Sequence, residues 1–274
     1  MAITMAEISK LRTMTGAGMM DCKNALNETG GDMEKAIEII RKKGQAVAAK
    51  RSDRKASEGC VLAASTGEFA AIVALKCETD FVAKNADFIA LTQQILDVAI
   101  AQKPADLAAL KVLTIDGSTI EQLVTDKIGV TGEKMELDTY EFVKGADTIS
   151  YIHPGNKLAT LAAFNLANID LQVKKDVAMQ IAAMSPISID RSAVPANIIA
   201  QELDIAKDKA RQEGKPENML DKIAEGRLNK FYQESTLLEQ AFIKDAKLSI
   251  AQYLKEQNND LTVTEFKRVT LNQE

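Results

Sequence analysis

Between residues 4 and 44 the apolar positions fall into three sets at helical spacing: Met5, Ile8 and Leu11; Met19, Met20, Cys22 and Leu26; Met33, Ala36, Ile37 and Ile40. Gly16 and Gly18 separate the first two sets, and Thr29-Gly30-Gly31-Asp32 combines a helix stop with an N-cap. The pattern therefore predicts three short helices, with Gly44 ending the third. The basic stretch Lys50-Arg51-Ser52-Asp53-Arg54-Lys55 then reads as a link between residues 1–50 and the rest of the chain.

From residue 56 short strands mix with helices. Ala70-Ala71-Ile72-Val73-Ala74-Leu75 has the continuous apolar character of a buried strand, and Phe88, Leu91, Ile95, Val98 and Ala99 follow at helical spacing. A weak internal repeat is visible when Pro104 is laid on Pro186: Leu91, Ile95 and Ala99 then fall on Val173, Val177 and Ile181. Each half runs from an apolar strand through a polar corner into a helix that closes near a proline. Two related α+β subdomains are expected, one over residues 56–145 and one over residues 146–194 together with 233–274. A helix around residues 120–128 and a strand around residues 135–142 lie between the two copies.

Residues 195–232 read as an αα-hairpin, because Ile199, Leu203, Ala206 and Ala210 alternate steps of four and three before Gly214-Lys215-Pro216 turns the chain. Met219, Ile223, Ala224 and Leu228 line the return helix. Its narrow apolar stripe and dense charge fit a protruding hairpin that packs on itself. Near the end, Leu248, Ile250, Ala251 and Leu254 mark a short helix, and Leu261-Thr262-Val263 and Phe266-Lys267-Arg268-Val269 read as two strands returning to the second subdomain. The expected class is α+β: a three-helix bundle, two related core subdomains and a helical hairpin.

Composition narrows the function. With 34 Lys and Arg against 39 Asp and Glu, the 274-residue chain carries a net charge of -5, which argues against a broad phosphate-binding surface. Tryptophan is absent and aromatics make up only 4%, so base-stacking platforms are not expected, and neither is direct contact with nucleic acid. No apolar run approaches the roughly 20 residues needed to cross a bilayer, and helical patterning begins by about Met5 without a signal core, so neither a membrane nor a secretory address is expected. Cys22, Cys60 and Cys77 are odd in number and widely spaced, which fits a reducing cytoplasm.

The densest candidate chemistry is Cys77-Glu78-Thr79-Asp80-Phe81-Val82-Ala83-Lys84-Asn85, where the strand gives way to the helix and Thr79 or Asp80 is a natural N-cap. Phe81 lies seven residues before Phe88, and spacing alone assigns it to the core as the first residue of one long amphipathic helix. A thiol, base and acid drawn from Cys77, His153 and Glu78 or Asp80 is a weak nucleophilic set, because Cys77 ends an apolar run where a small thiol packs well. One histidine with scattered cysteines supplies no metal-ligand spacing. Gly129-Val130-Thr131-Gly132-Glu133-Lys134 lacks the glycine placement of a phosphate cradle. No catalytic residue, cofactor or metal is therefore expected.

Residues 78–85 resemble the signature of the elongation factor Ts family, bacterial guanine nucleotide exchange factors for elongation factor Tu. Leu11-Arg12-Thr13-Met14-Thr15-Gly16-Ala17-Gly18-Met19-Met20-Asp21-Cys22-Lys23-Asn24-Ala25-Leu26 is similar to that family's N-terminal signature almost residue for residue. Gly214-Lys215-Pro216-Glu217, Glu225-Gly226-Arg227-Leu228-Asn229-Lys230-Phe231 and Leu238-Glu239-Gln240-Ala241-Phe242 are similar to its later segments, so the resemblance covers residues 4–270 or so.

The resemblance implies a ubiquitin-associated-like N-terminal bundle and a partner, elongation factor Tu, bound in its GDP and nucleotide-free forms. It turns Phe81 from core residue into wedge: Thr79, Asp80, Phe81 and Val82 are the expected site that dislodges Mg²⁺ from the partner. Arg12, Met19, Met20 and His153 are the expected docking residues. Of Met14, Met19 and Met20 around Gly16 and Gly18, the bundle's own core is expected to claim one or two and the remainder to face the partner. The His153 loop departs from the family pattern, with Pro154, Asn156 and Ala159 where glycines are common and Lys157 where Arg is common, and is expected to be stiffer. In the family the hairpin serves dimerisation or reaches toward the partner, and a homodimer through it remains open. The competing reading is an adaptor that holds a small protein through the N-terminal bundle, which needs only residues 1–44.

Overall fold

The computed structural model describes residues 3–272. Thr4 opens the first helix with a capping box, its hydroxyl accepting from the Glu7 amide while the Glu7 carboxylate accepts from the Thr4 amide. Helices α1 (Met5–Thr15), α2 (Met19–Glu28) and α3 (Met33–Lys50) follow, and they enclose Ile8, Leu11, Ala17, Cys22, Ala25, Leu26 and Ala36. The bundle's core claims none of the methionines of its first corner. Met14, Met19 and Met20 are 56%, 48% and 63% exposed, because the small residues Ala17, Cys22 and Ala25 already fill the space between the helices.

The remaining elements run β1 (Glu58–Thr66), β2 (Phe69–Cys77), α4 (Asp80–Ala83), α5 (Ala86–Gln102), α6 (Leu107–Val112), β3 (Thr114–Ile115), β4 (Ser118–Thr119), α7 (Ile120–Thr131), β5 (Met135–Lys144), β6 (Asp147–Ile152), β7 (Leu158–Phe164), α8 (Leu171–Met184), α9 (Ala196–Gln212), α10 (Leu220–Ser235), β8 (Ala241–Phe242), β9 (Asp245–Ser249), α11 (Ile250–Gln257) and β10 (Val263–Thr270). Two antiparallel three-stranded sheets form the core, in the orders β1-β2-β5 and β10-β7-β6. Each is a hairpin whose second strand becomes central when a later strand pairs with it. The two sheets are copies of one plan.

Alternation along β2 explains the layering. Phe69, Ala71, Val73, Leu75 and Cys77 face a core shared with α5, α6 and α7, whereas Ala70, Ile72 and Ala74 meet Ala159, Leu161 and Ala163 of β7. Both faces of β2 are buried, which is why its run is continuously apolar. The second sheet repeats this on its far side, where Ile149, Ala162 and Phe164 pack on Val173, Val177 and Ile181 of α8. The result is helix, sheet, sheet, helix, an α+β architecture. The repeat extends to the caps: Lys103 before Pro104 and Ser185 before Pro186 both adopt the left-handed conformation, with φ of 49° and 43°, and end α5 and α8 alike.

Four sequence expectations change. Gly44 does not end α3, which runs on to Lys50: it sits against Gly129 of α7, and a Cβ added to Gly129 would lie 2.6 Å from the Gly44 Cα. The two strands expected near the end are one strand, β10, carrying an irregularity between Val263 and Glu265, and Leu248 belongs to β9 rather than to a helix. In the hairpin, Ala206 and Ala210 of α9 and Leu220 and Ala224 of α10 are buried, but Met219 is exposed: a short 3₁₀ turn over Glu217–Met219 resets the phase, so Leu220 turns inward instead. Lys207 with Asp221 and Arg227 with Glu213, each at 2.7 Å, flank that seam. Among the described residues no helix is long and apolar enough to cross a membrane.

Candidate functional site

Phe81 stands on the single helical turn α4, where β2 ends. Thr79 caps that turn, its hydroxyl accepting from the Val82 amide. One face of the turn, Val82 and Ala83, settles onto the core beneath the first sheet, and a helix turns about 100° per residue, so Phe81 is carried outward. It is 85% exposed. Phe88, fully buried, is not on the same stripe, because α4 and α5 are separate helices. Chain direction changes at Lys84 and Asn85, and the Asn85 side chain starts α5 by accepting from the Asp87 amide at 2.8 Å. The seven-residue spacing therefore carries no facial relationship across that break.

An exposed turn of four residues needs support, and it comes from the segment after α7. Gly132 ends α7 in the left-handed conformation, φ 72°, and turns Glu133 and Lys134 toward the corner. The Glu133 carboxylate accepts from the Thr79 amide at 3.1 Å and from its hydroxyl at 2.7 Å. The Lys134 amide donates to Glu78 at 2.7 Å, while Arg51 and Arg54 approach the same carboxylate at 3.4 Å. That amide, with the two guanidiniums adding, holds the Glu78 carboxyl below the usual carboxylate range. The glycine-containing stretch 129–134 thus has a structural task, the bracing of Thr79. Sequence reasoning missed Glu133 and Lys134; the one available signal was the glycine marking a helix end just before them.

Asp80 is held by Lys84 at 2.7 Å one turn on, and this hydrogen bond lowers its carboxyl below the ordinary value, with Lys157 contributing at longer range. Lys157 follows the His153 loop and pairs with Glu58 at 2.7 Å. The fold therefore brings the His153 loop and the Asp80–Phe81 corner to neighbouring positions, a juxtaposition that spacing along the chain does not contain. His153 is exposed, with its Nδ1 3.0 Å from the Tyr151 hydroxyl. The loop is tied down at both sides, since the Asn156 carbonyl accepts from the Val61 amide at 2.7 Å and the Lys157 carbonyl from the Leu271 amide at 2.8 Å. Asn156 takes a left-handed φ of 55° where a glycine would be at ease.

Arg12 and the exposed Met14, Met19 and Met20 occupy the first corner of the N-terminal bundle. A cleft of about 650 Å³ lies beside that corner, with walls from the bundle, α5 and α7; Met14, Asp21, Arg41, Asp87 and Lys127 are among them. The cysteines are all unpaired and buried, and burial pushes the Cys60 thiol up to about 11 and the Cys77 thiol up to about 12. Both are protonated near neutrality, which opposes a nucleophilic role. Among the described residues no group of three or more His, Cys, Asp or Glu side chains is placed to hold a metal ion.

Comparison with known proteins bears on what such a corner does. The family model described as Elongation factor TS matches residues 78–273, beginning at the acid that the two arginines hold. The protein named Elongation factor Ts from Porphyromonas gingivalis (strain ATCC 33277) is 63% identical over 273 residues, covering 99% of this chain and 99% of that one. The proteins of the same name from Azobacteroides pseudotrichonymphae and Phocaeicola vulgatus are 53% and 47% identical, each with 100% of both chains covered.

Proposed function

Because the chain belongs to the elongation factor Ts family, whose members serve as nucleotide exchange factors in translation elongation, we propose that it binds elongation factor Tu in its GDP and nucleotide-free forms and accelerates GDP release, so that GTP can rebind. Exchange of this kind needs no bond to be made or broken on the factor. It needs a surface that prefers the nucleotide-free partner. By linkage, whatever factor the protein takes from GDP affinity, GDP takes equally from the protein's affinity.

The observation that carries the proposal is a large aromatic ring 85% exposed on a turn whose backbone is nonetheless fixed. Exposed apolar side chains that are rigidly presented make efficient anchors, because little conformational entropy is lost when they enter a pocket. Phe81 inserts between helices of the partner's nucleotide domain, on the side of the Mg²⁺ and phosphates. Thr79 and Val82 hold the turn, and Asp80, kept ionised beside Lys84, sets the polar edge of entry. Displacing a cation that neutralises phosphate charge loosens the nucleotide. Arg12, Met19 and Met20 dock the bundle, methionine being suited to irregular surfaces, and His153 adds a contact beside the wedge.

The decisive experiment is stopped-flow release of a fluorescent GDP analogue from elongation factor Tu as this protein is titrated in. The expected result is strong acceleration that saturates. Unchanged release under conditions where the two proteins demonstrably form a complex would overturn the assignment and favour a simple adaptor.

A further inference from the structure

We infer that α7 with the segment that caps it is a strut, fixing the methionine corner of the N-terminal bundle relative to the Phe81 corner, with Gly129 and Glu133 as the positioning residues at its two ends. This rests on the function proposed above and names how its two contact surfaces are held in register.

At one end α3 crosses α7 at backbone contact. A methyl group added to Gly129 would lie 2.6 Å from the Gly44 Cα, whereas one added to Gly44 would lie 3.5 Å from the Gly129 Cα and 3.6 Å from the Thr125 carbonyl. Arg41 of α3 reaches across to Ser118 at 3.0 Å and Asp126 at 3.6 Å, and Val47 and Ala48 rest on the core that α7 helps to build. At the other end, one turn past Gly129, Glu133 grips Thr79 and the Lys134 amide grips Glu78. The Lys134 ammonium also donates to the Ser52 carbonyl at 2.9 Å, just beyond α3, and Arg51 and Arg54 close the circuit onto Glu78. The basic stretch that reads as a free linker is thus clamped on both sides.

The consequence is mechanical. Were the bundle tethered by a flexible segment, docking through its methionines would raise the local concentration of Phe81 without aiming it. Held by backbone contact at one end and a two-pronged carboxylate at the other, docking instead delivers the ring in one orientation. Binding energy collected remotely is then usable for distortion of the partner, and a misplacement of about 1 Å is enough to lose much of it.

The test uses the full chain and elongation factor Tu carrying a fluorescent GDP analogue, with the half-saturating concentration and the maximal release rate measured separately and folding checked by circular dichroism. Gly129→Ala must open the crossing by about 1 Å to reach ordinary van der Waals separation. It should leave half-saturation within about threefold and lower the maximal rate at least about tenfold. Glu133→Ala should do the same from the other end. Gly44→Ala, whose methyl has room, should match the parent protein. If Gly129→Ala does not fold, the paired change Arg51→Ala with Arg54→Ala takes its place and is judged by the same readouts. Folded variants with unchanged maximal rates, or a Gly44→Ala protein as impaired as Gly129→Ala, would overturn the strut. Phe81→Ala in the same assay separates the two levels: if it alone is slow, the strut fails and the wedge stands, and if it too is normal, the wedge itself fails.

Discussion

Replacing Phe81 with alanine sets the free protein against the complex. With 85% of the residue exposed, an aromatic side chain of about 200 Å² keeps only roughly 30 Å² from water in the free protein. At about 25 cal/mol per Å², removing it costs ~0.8 kcal/mol, a fall of about 2 °C in melting midpoint for a chain of this size. Phe88 supplies the contrast, since it is fully buried and its truncation should cost about 3 to 5 kcal/mol, or roughly 10 °C. On insertion into a partner the remaining ~170 Å² of Phe81 leaves water, an upper limit of ~4 kcal/mol by the same coefficient. Part of that gain offsets ordering at the interface, so the expected loss of exchange acceleration lies between about tenfold and a thousandfold. The assay is saturating release of a fluorescent GDP analogue, with melting followed by circular dichroism. A Phe81→Ala protein that melts as low as Phe88→Ala, or that drives release at the parent rate, would show that the ring is not an exposed lever.

Met20 is 63% exposed on the bundle corner, so Met20→Glu should melt within about 2 °C of the parent and weaken complex formation at least about tenfold by calorimetry; unchanged affinity would remove the corner from the interface. Glu78 has a carboxyl depressed in the folded state by the Lys134 amide, Arg51 and Arg54, so its stabilisation is complete above the unfolded pKa and is lost as pH falls through the folded one. Glu78→Gln should therefore be the less stable protein at neutral pH, with the gap closing below about pH 4; a gap independent of pH would mean that the charge is not its source. The three buried thiols, two of them raised by burial, should resist a disulfide reagent at neutral pH until the protein unfolds. Rapid labelling of the native protein, followed by loss of exchange, would contradict that burial.

Local order and mutual placement have different sources in this protein. The helices of the bundle, the buried strand through Ile72, the repeat pairing Leu91, Ile95 and Ala99 with Val173, Val177 and Ile181, and the hairpin around Gly214 are all legible in the chain, because each depends on periodicity and caps acting over a few residues. So is the corner at Thr79, whose cap and whose family signature are both local. The sequence was misleading wherever a local signal met a distant partner. Gly44 carries the mark of a helix end, yet it serves a crossing with Gly129. Lys50 to Lys55 has the composition of a linker, yet Arg51 and Arg54 are drawn onto Glu78. Phe81 and Phe88 share a helical spacing, yet a break at Asn85 puts one in solvent and the other in the core. The bracing of Thr79 by Glu133, and the approach of Lys157 to Asp80, join residues far apart in the chain. No spacing rule reaches them, since the first exists only once β5 has paired with β2 in one sheet, and the second only once the two copied sheets have packed.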